Sequence, residues 1–153
     1  MAVVSHALVP WRRRGDDVEL LVAHMGGPFW ARKDDGAWTF PKGLPEGDES
    51  PLETARREFS EELGLPAPEA GFVEIGEVKQ SGGKVVHAWA VETDLDPESV
   101  TPGTFEMEWP PRSGRTQEFP EVDRVAWVSP DVARRLLVTA QRAFVDRVLD
   151  LGR

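Results

Sequence analysis

The stretch G-L-P-E-G-D-E-S-P-L-E-T-A-R-R-E-F-S-E-E-L-G-L, Gly43 to Leu65, decides how the rest of the chain is read. It carries seven acidic residues: Glu46, Asp48, Glu49, Glu53, Glu58, Glu61 and Glu62. Pro51 suits the first turn of a helix, where a missing N–H costs nothing, and Ser50 before it suits the N-cap. Glu53 stands three residues after Ser50, the spacing of a capping box. Gly64 suits the left-handed position that ends a helix, and Pro66 follows where proline often does. These signals predict a helix over Pro51 to Leu63. Leu52, Ala55, Phe59 and Leu63 form its apolar stripe. Glu58, Glu61 and Glu62 fall at i, i+3 and i+4, so three carboxylates share one side. Like charges so placed cost stability unless a positive group fills the space. A hard divalent cation such as Mg²⁺, which takes carboxylate oxygens and keeps several waters, would do so. The plain alternative is a solvated acidic face.

The flanking pattern favours the first reading. The stretch resembles the Nudix box of the Nudix hydrolase family, G-x5-E-x7-R-E-U-x-E-E-x-G-U, where U is bulky and apolar. Gly43, Glu49, Arg57, Glu58, Phe59, Glu61, Glu62, Gly64 and Leu65 fill every defined position. With each fixed residue type at roughly 5–7% usage, chance agreement is on the order of one in a billion per start position, so coincidence is set aside. The resemblance implies an α/β/α sandwich with a mixed β-sheet. It also implies metal-dependent hydrolysis of a phosphoanhydride in a nucleoside diphosphate linked to another group, with Mg²⁺ or Mn²⁺ as cofactor. It assigns Glu58, Glu61, Glu62 and the Gly43 carbonyl to the metal, and Arg57 to orienting a box glutamate. Glu49 would brace the loop and pair with Arg57. The general base is a glutamate of the box or one outside it, Glu118 or Glu121. Glu121 is favoured, because related sequences often place a glutamate about six residues before a tryptophan like Trp127. The rival function is a Nudix module that senses a nucleotide without cleaving it. Loss of box glutamates would mark that case, and none is lost here.

The 153 residues suit a single domain, 1–153, large enough to bury a core. No run approaches the roughly 18 apolar residues of a membrane span, and Met1 to Pro10 lacks a signal-peptide pattern. Cysteine is absent, which excludes disulfides and thiolate zinc sites. The expected setting is cytoplasmic, as a monomer or homodimer. A net charge of −9 argues against nucleic-acid binding and for a small nucleotide met by metal and local Lys or Arg.

Outside the box, Ser5–Trp11 reads as a strand whose end Pro10 demotes to an edge or bulge. Val18–Met25 reads as a buried strand. Gly26–Gly36 is a loop carrying Phe29, Trp30, Arg32 and Lys33, where an aromatic ring suits a base and a cation a phosphate. The equal alternative is that Trp30 caps the core. Trp38–Phe40 is a short strand leading to Pro41-Lys42-Gly43. W-T-F-P-K-G resembles the W-x-x-P-K-G lead-in of Nudix proteins, and with the later E-x5-W pattern looks most like their bis(5′-nucleosyl) polyphosphate hydrolases. Lys42 is thus a candidate phosphate contact. Phe72–Val78 and Val85–Glu92 read as a strand pair around Ser81-Gly82-Gly83, with His87 as a strand residue beside the core. Phe105–Phe119, broken by Pro110-Pro111 and Gly114, reads as a long ordered loop offering Arg112 and Arg115 to phosphates. Its segment Met107–Arg115 is expected to face the Phe29–Lys33 loop across the nucleotide. Val122–Val128 is the last strand. Helix follows from Pro130, capped by Ser129, to Arg153, in two pieces meeting near Thr139.

Overall fold

The computed structural model describes residues 3–151. The outermost parts of two sequence readings, Met1–Ala2 and the terminal helix as far as Arg153, lie outside the described residues. Strands β1 (Val3–Arg14) and β2 (Asp17–Met25) form an antiparallel hairpin that turns at Gly15 and Asp16. Two short strands follow, β3 (Trp38–Thr39) and β4 (Lys42–Gly43), and then helix α1 (Pro51–Leu63). Next come β5 (Phe72–Gln80), β6 (Lys84–Glu92), β7 (Thr104–Glu108), β8 (Thr116–Pro120) and β9 (Val122–Val128). The described chain closes with α2 (Pro130–Leu136), a 3₁₀ turn over Thr139–Gln141, and α3 (Arg142–Leu151).

Seven strands make one mixed sheet in the order β3-β2-β1-β6-β5, with β4 also on β1 and β9 also on β2. The β1–β6 pair is parallel and the others are antiparallel. Because side chains alternate along a strand, the sheet feeds two cores. Ala7, Val9, Leu20, Val22, Val86 and Ala88 pack with Leu136, Phe144 and Val148 of α2 and α3. Leu8, Leu21, Ala23 and Val125 pack on the other face with Ala55, Phe59 and Leu63 of α1. Each such Leu or Phe contributes about 1.5–3 kcal/mol by leaving water. Helices therefore cover both faces, and the α/β/α sandwich is observed.

Helix α1 has the caps that its sequence specifies. Ser50 Oγ accepts the Glu53 N–H at 3.2 Å, and Glu53 Oε1 accepts the Ser50 N–H at 3.0 Å. Gly64 is left-handed and donates its N–H to the Ser60 carbonyl at 2.8 Å.

Two sequence expectations are corrected. Pro10 lies inside β1, a central strand, opposite Val91 of β6. It is tolerated because it falls between two partners on the other side. The Leu8 N–H bonds the Pro41 carbonyl, and pairing with β2 begins only at Trp11, so no ladder bond needs a Pro10 donor. The segment 105–119 is not a loop but the hairpin β7–β8, with Phe105 opposite Phe119 and Met107 opposite Gln117. Pro110, Pro111 and Gly114 occupy its turn rather than breaking a strand.

Candidate active site

Strand β4 and helix α1 bring the box together. Gly43 pairs with His6 of β1, and the position a Cβ would take at Gly43 lies 2.1 Å from Glu58 Cδ. Any side chain there would collide with the Glu58 carboxyl, so only glycine lets strand and carboxylate meet. The Lys42 backbone N–H, one residue earlier, donates to Glu62 Oε2 at 2.8 Å. The three carboxylates are graded in depth rather than lying together on a solvated face. The Glu61 side chain is 53% exposed, the Glu58 side chain 16%, and Glu62 is the most enclosed.

Arg57 ties the charges together. Its Nε donates to Glu49 Oε2 at 2.7 Å, Nη1 to Glu58 Oε1 and Glu61 Oε2 at 3.0 Å each, and Nη2 to the Leu44 carbonyl at 2.9 Å. Only a guanidinium offers enough donors in fixed directions for this role. The Arg57 hydrogen bond holds Glu49 down at about 2. Burial pushes Glu62 up to about 8, helped by the nearby charge of Glu58 and Glu121. Burial also raises Glu58 against the opposing pull of Arg57, with Glu61 and Glu121 adding to the rise. Glu121 is raised by burial and then by Glu61.

Glu121 thus stands in the electrostatic field of all three helix carboxylates. The fold puts it there through backbone contacts. Its N–H donates to the Gly103 carbonyl at 2.8 Å, and the Gly103 N–H donates to the Glu61 carbonyl near the end of α1 at 3.1 Å. On its other side the Gly26 N–H donates to the Glu121 carbonyl at 3.0 Å, and a Cβ at Gly26 would lie 1.9 Å from the Pro120 oxygen. Glu118, the other outside candidate, lies on β8 opposite Glu106.

The donor set suits a hard cation: carboxylate and carbonyl oxygens, with carboxyls raised by burial and by one another, a repulsion that positive charge relieves. Among the described residues no three such side chains form a ready-made ligand cluster. Glu58 and Glu61 are turned to Arg57, and Glu62 to the Lys42 N–H.

The substrate candidates divide. Trp30 and Lys42 line a groove of about 760 Å³ on the α2–α3 side of the sheet, and Lys33 Nζ lies 5.3 Å from the Trp30 ring centroid. Trp30 also packs against the core, as the alternative reading expects. Arg112 and Arg115 are exposed around the β7–β8 turn and do not line this groove. The hairpin and the 26–36 loop touch directly, Phe29 edge-on to Trp109 at 5.6 Å, so they stand side by side rather than across a space.

Two histidines matter more than their sequence context suggested. His24 is fully buried; its Nε2–H donates to the Lys33 carbonyl at 2.6 Å, and its Nδ1 lies 2.8 Å from Asp123. It pins the Trp30–Lys33 loop to the sheet. His87 contacts Glu74, and its Nδ1 lies 3.0 Å from Nδ1 of His6, the strand partner of Gly43. A polar residue inside the apolar run Val18–Met25 was the available signal for His24.

A model of the NUDIX domain matches residues 3–148, nearly the whole chain. The chain belongs to the Nudix family. Over 52 residues it is 48% identical to an RNA pyrophosphohydrolase of Hahella chejuensis, a match spanning 33% of this chain and 32% of that protein. Among solved structures, the Nudix domain of Shewanella oneidensis NrtR complexed with ADP ribose superposes with a TM-score of 0.66 at 13% identity, covering 100% of this chain and 90% of that one. A C. elegans Ap4A hydrolase in binary complex also gives 0.66, at 17% identity, covering 99% and 98%. The Nudix fold of the chain is shared with both.

Proposed function

We propose that this Nudix protein is a metal-dependent pyrophosphohydrolase that cleaves a phosphoanhydride bond in a nucleoside diphosphate linked to another group, with a dinucleoside polyphosphate as the leading candidate. The observation that carries this is the electrostatic coupling of Glu58, Glu62 and Glu121, whose carboxyls are raised first by burial and then by neighbouring carboxylates, with Glu58 set against Gly43 and Arg57 fixing Glu58 and Glu61. Mg²⁺ or Mn²⁺ would be held by Glu58, Glu61, Glu62 and the Gly43 carbonyl, and when bound would neutralise phosphate oxygens and lower the pKa of a water. The chain's own residues do the rest. Glu121 takes the proton of the attacking water; an elevated carboxyl pKa brings a base closer to the operating pH. Arg57 keeps the helix carboxylates apart and aimed. Lys42 is anchored by its main chain to Glu62 and offers its ammonium to the substrate. Trp30 gives a base a flat surface.

The activities named for two relatives, an RNA pyrophosphohydrolase and an Ap4A hydrolase, agree with a diphosphate linkage as target. Orthophosphate and nucleotide products measured over a nucleotide panel with Mg²⁺ test the proposal. Hydrolysis that stops when metal is removed is expected. Binding without cleavage of any member would support the sensing module instead.

A further inference from the structure

The chain has four lysines: Lys33, Lys42, Lys79 and Lys84. All four gather at one place. Lys42, Lys79 and Lys84 line the groove of about 760 Å³, and Lys33 stands over Trp30, which lines it too. They come from separate elements: the 26–36 loop, β4, and the two strands flanking the Ser81–Gly83 turn. Residues of the groove include Gln80, Ser81 and Thr139 but no Asp or Glu. In a chain of net charge −9 this is a local reversal of sign. Six of the fourteen arginines behave differently. Arg12, Arg14, Arg57, Arg124, Arg134 and Arg135 all have carboxylate partners within 4.0 Å, whereas among the described residues no lysine makes such an ion pair. Lys42 feels the charge of Glu62, but no carboxylate lines the groove beside Lys79 and Lys84; ammonium groups so placed repel, and an anion in the groove would relieve that. Lysine meets phosphate as a mobile point charge, which suits a flexible chain of phosphates.

Lys42 links this groove to the carboxylates. Its N–H binds Glu62, and the same residue lines the groove. Gly43, next in sequence, faces Glu58. A substrate bound at the carboxylates can therefore extend past Lys42 into the lysines.

Resting on the hydrolase reading above, we infer that this groove holds the part of the substrate's phosphate chain that lies beyond the cleaved bond, with a base on Trp30. The substrate class is then a nucleotide with a chain of about four phosphoryl groups or more, two at the carboxylates and the others among the lysines, as in a dinucleoside tetraphosphate. A nucleoside diphosphate joined to a neutral sugar would leave the lysines unmatched.

Calorimetric titration of inorganic tetrapolyphosphate into the metal-free protein tests this. It compares wild type, Lys79→Ala/Lys84→Ala and the charge-keeping Lys79→Arg/Lys84→Arg, each checked for folding by thermal melting. The alanine pair should weaken binding at least tenfold and flatten its salt dependence, and the arginine pair should restore most of the affinity. Steady-state kinetics on diadenosine tetraphosphate and ADP-ribose form the second arm. The alanine pair should raise KM mainly for the tetraphosphate. Equal polyphosphate affinity in wild type and alanine variant overturns the inference, as does an equal loss on both substrates. A clear preference for a 5′-triphosphorylated RNA over the dinucleotide overturns the substrate class. The two readings fail separately. Lysine-dependent polyphosphate binding without any hydrolysis removes the hydrolase reading and leaves the groove, whereas lysine-independent hydrolysis removes the groove and leaves the hydrolase.

Discussion

Gly43→Ala adds one methyl group at the point where strand and carboxylate meet. An ideal Cβ there lies 2.1 Å from Glu58 Cδ, 2.3 Å from Oε1 and 2.5 Å from Cγ. Carbon atoms rest at roughly 3.5 Å, so the carboxyl must retreat by about 1.4 Å. Its 3.0 Å bond to Arg57 Nη1 does not survive such a shift in place. A misplacement of about 1 Å can cost roughly 100-fold in rate, equivalent to about 2.7 kcal/mol of barrier. Overpacking costs about 1–3 kcal/mol of stability, and the side chain of a flexible glutamate can yield, so the low end applies. The expected outcome is a kcat lowered about 100-fold or more at saturating Mg²⁺, with a melting temperature lowered by only a few degrees. Glu58→Asp, one methylene shorter, tests the cause. Placed alone it should slow the enzyme, but in the Gly43→Ala background it should cost little more, because the clash is already relieved. Such non-additivity is the mark of two groups in contact. A Gly43→Ala enzyme within threefold of wild-type kcat, or rate losses that add independently, refutes the reasoning.

Other outcomes follow from the same geometry. Arg57→Lys keeps the charge but cannot hold Glu49, Glu58, Glu61 and the Leu44 carbonyl at once, so kcat should fall well over tenfold; near-normal turnover would show that charge alone suffices. Glu121→Gln should lower kcat about 10²- to 10⁴-fold and remove the acid limb of the pH–rate profile, while Glu118→Gln stays near wild type; equal effects at both positions would undo the choice of base. In metal-free protein, Glu62 binds its proton more tightly folded than unfolded, so its contribution to stability is present below about 4.5 and lost as pH rises toward about 8. Thermal melts in chelator should therefore show that decline, and Glu62→Gln should reduce it while lowering kcat by orders of magnitude. Trp30→Ala should raise KM for a base-bearing substrate roughly 5- to 150-fold, from about 1–3 kcal/mol of stacking, with kcat retained; an equal loss on inorganic tetrapolyphosphate would make Trp30 a packing residue only.

Helix α1 was legible to the residue because its determinants are local: Ser50, Pro51, Glu53 and Gly64 lie within one short segment and act on it directly. The strands 18–25, 72–78, 85–92 and 122–128 were legible within two residues at each end, since each has a buried side that writes an apolar pattern. The β7–β8 hairpin escaped because it forms its own two-stranded sheet with no face buried in either core. The alternation Phe105, Met107, Trp109 was present, but the turn prolines outweighed it. The gathering of Lys42, Lys79 and Lys84 was invisible for a different reason. It depends on the parallel pairing of β1 with β6 between strands some eighty residues apart, and no local pattern specifies that choice.

The two sides of the sheet divide the work by sign of charge. On the α1 side, Glu46, Glu49, Glu58 and Glu61 converge on the single cation Arg57, and Glu62 takes the Lys42 N–H and feels the Lys42 charge without an ion pair. Burial raises Glu58 and Glu62 first and repulsion from neighbouring carboxylates adds to it, a demand for positive charge that one arginine does not meet. On the α2–α3 side, the lysines carry the opposite imbalance. The two approach one another at Lys42–Gly43, where the Lys42 charge acts on Glu62 without an ion pair, and most of each excess is left unrelieved. A ligand that resolves both must bring cations to the first and anions to the second, joined within a few bonds. A metal-chelated phosphate chain has that form. The tandem of Lys42 and Gly43 is consequently more than a lead-in to the helix: its alternating strand geometry aims one residue at each half of the same ligand.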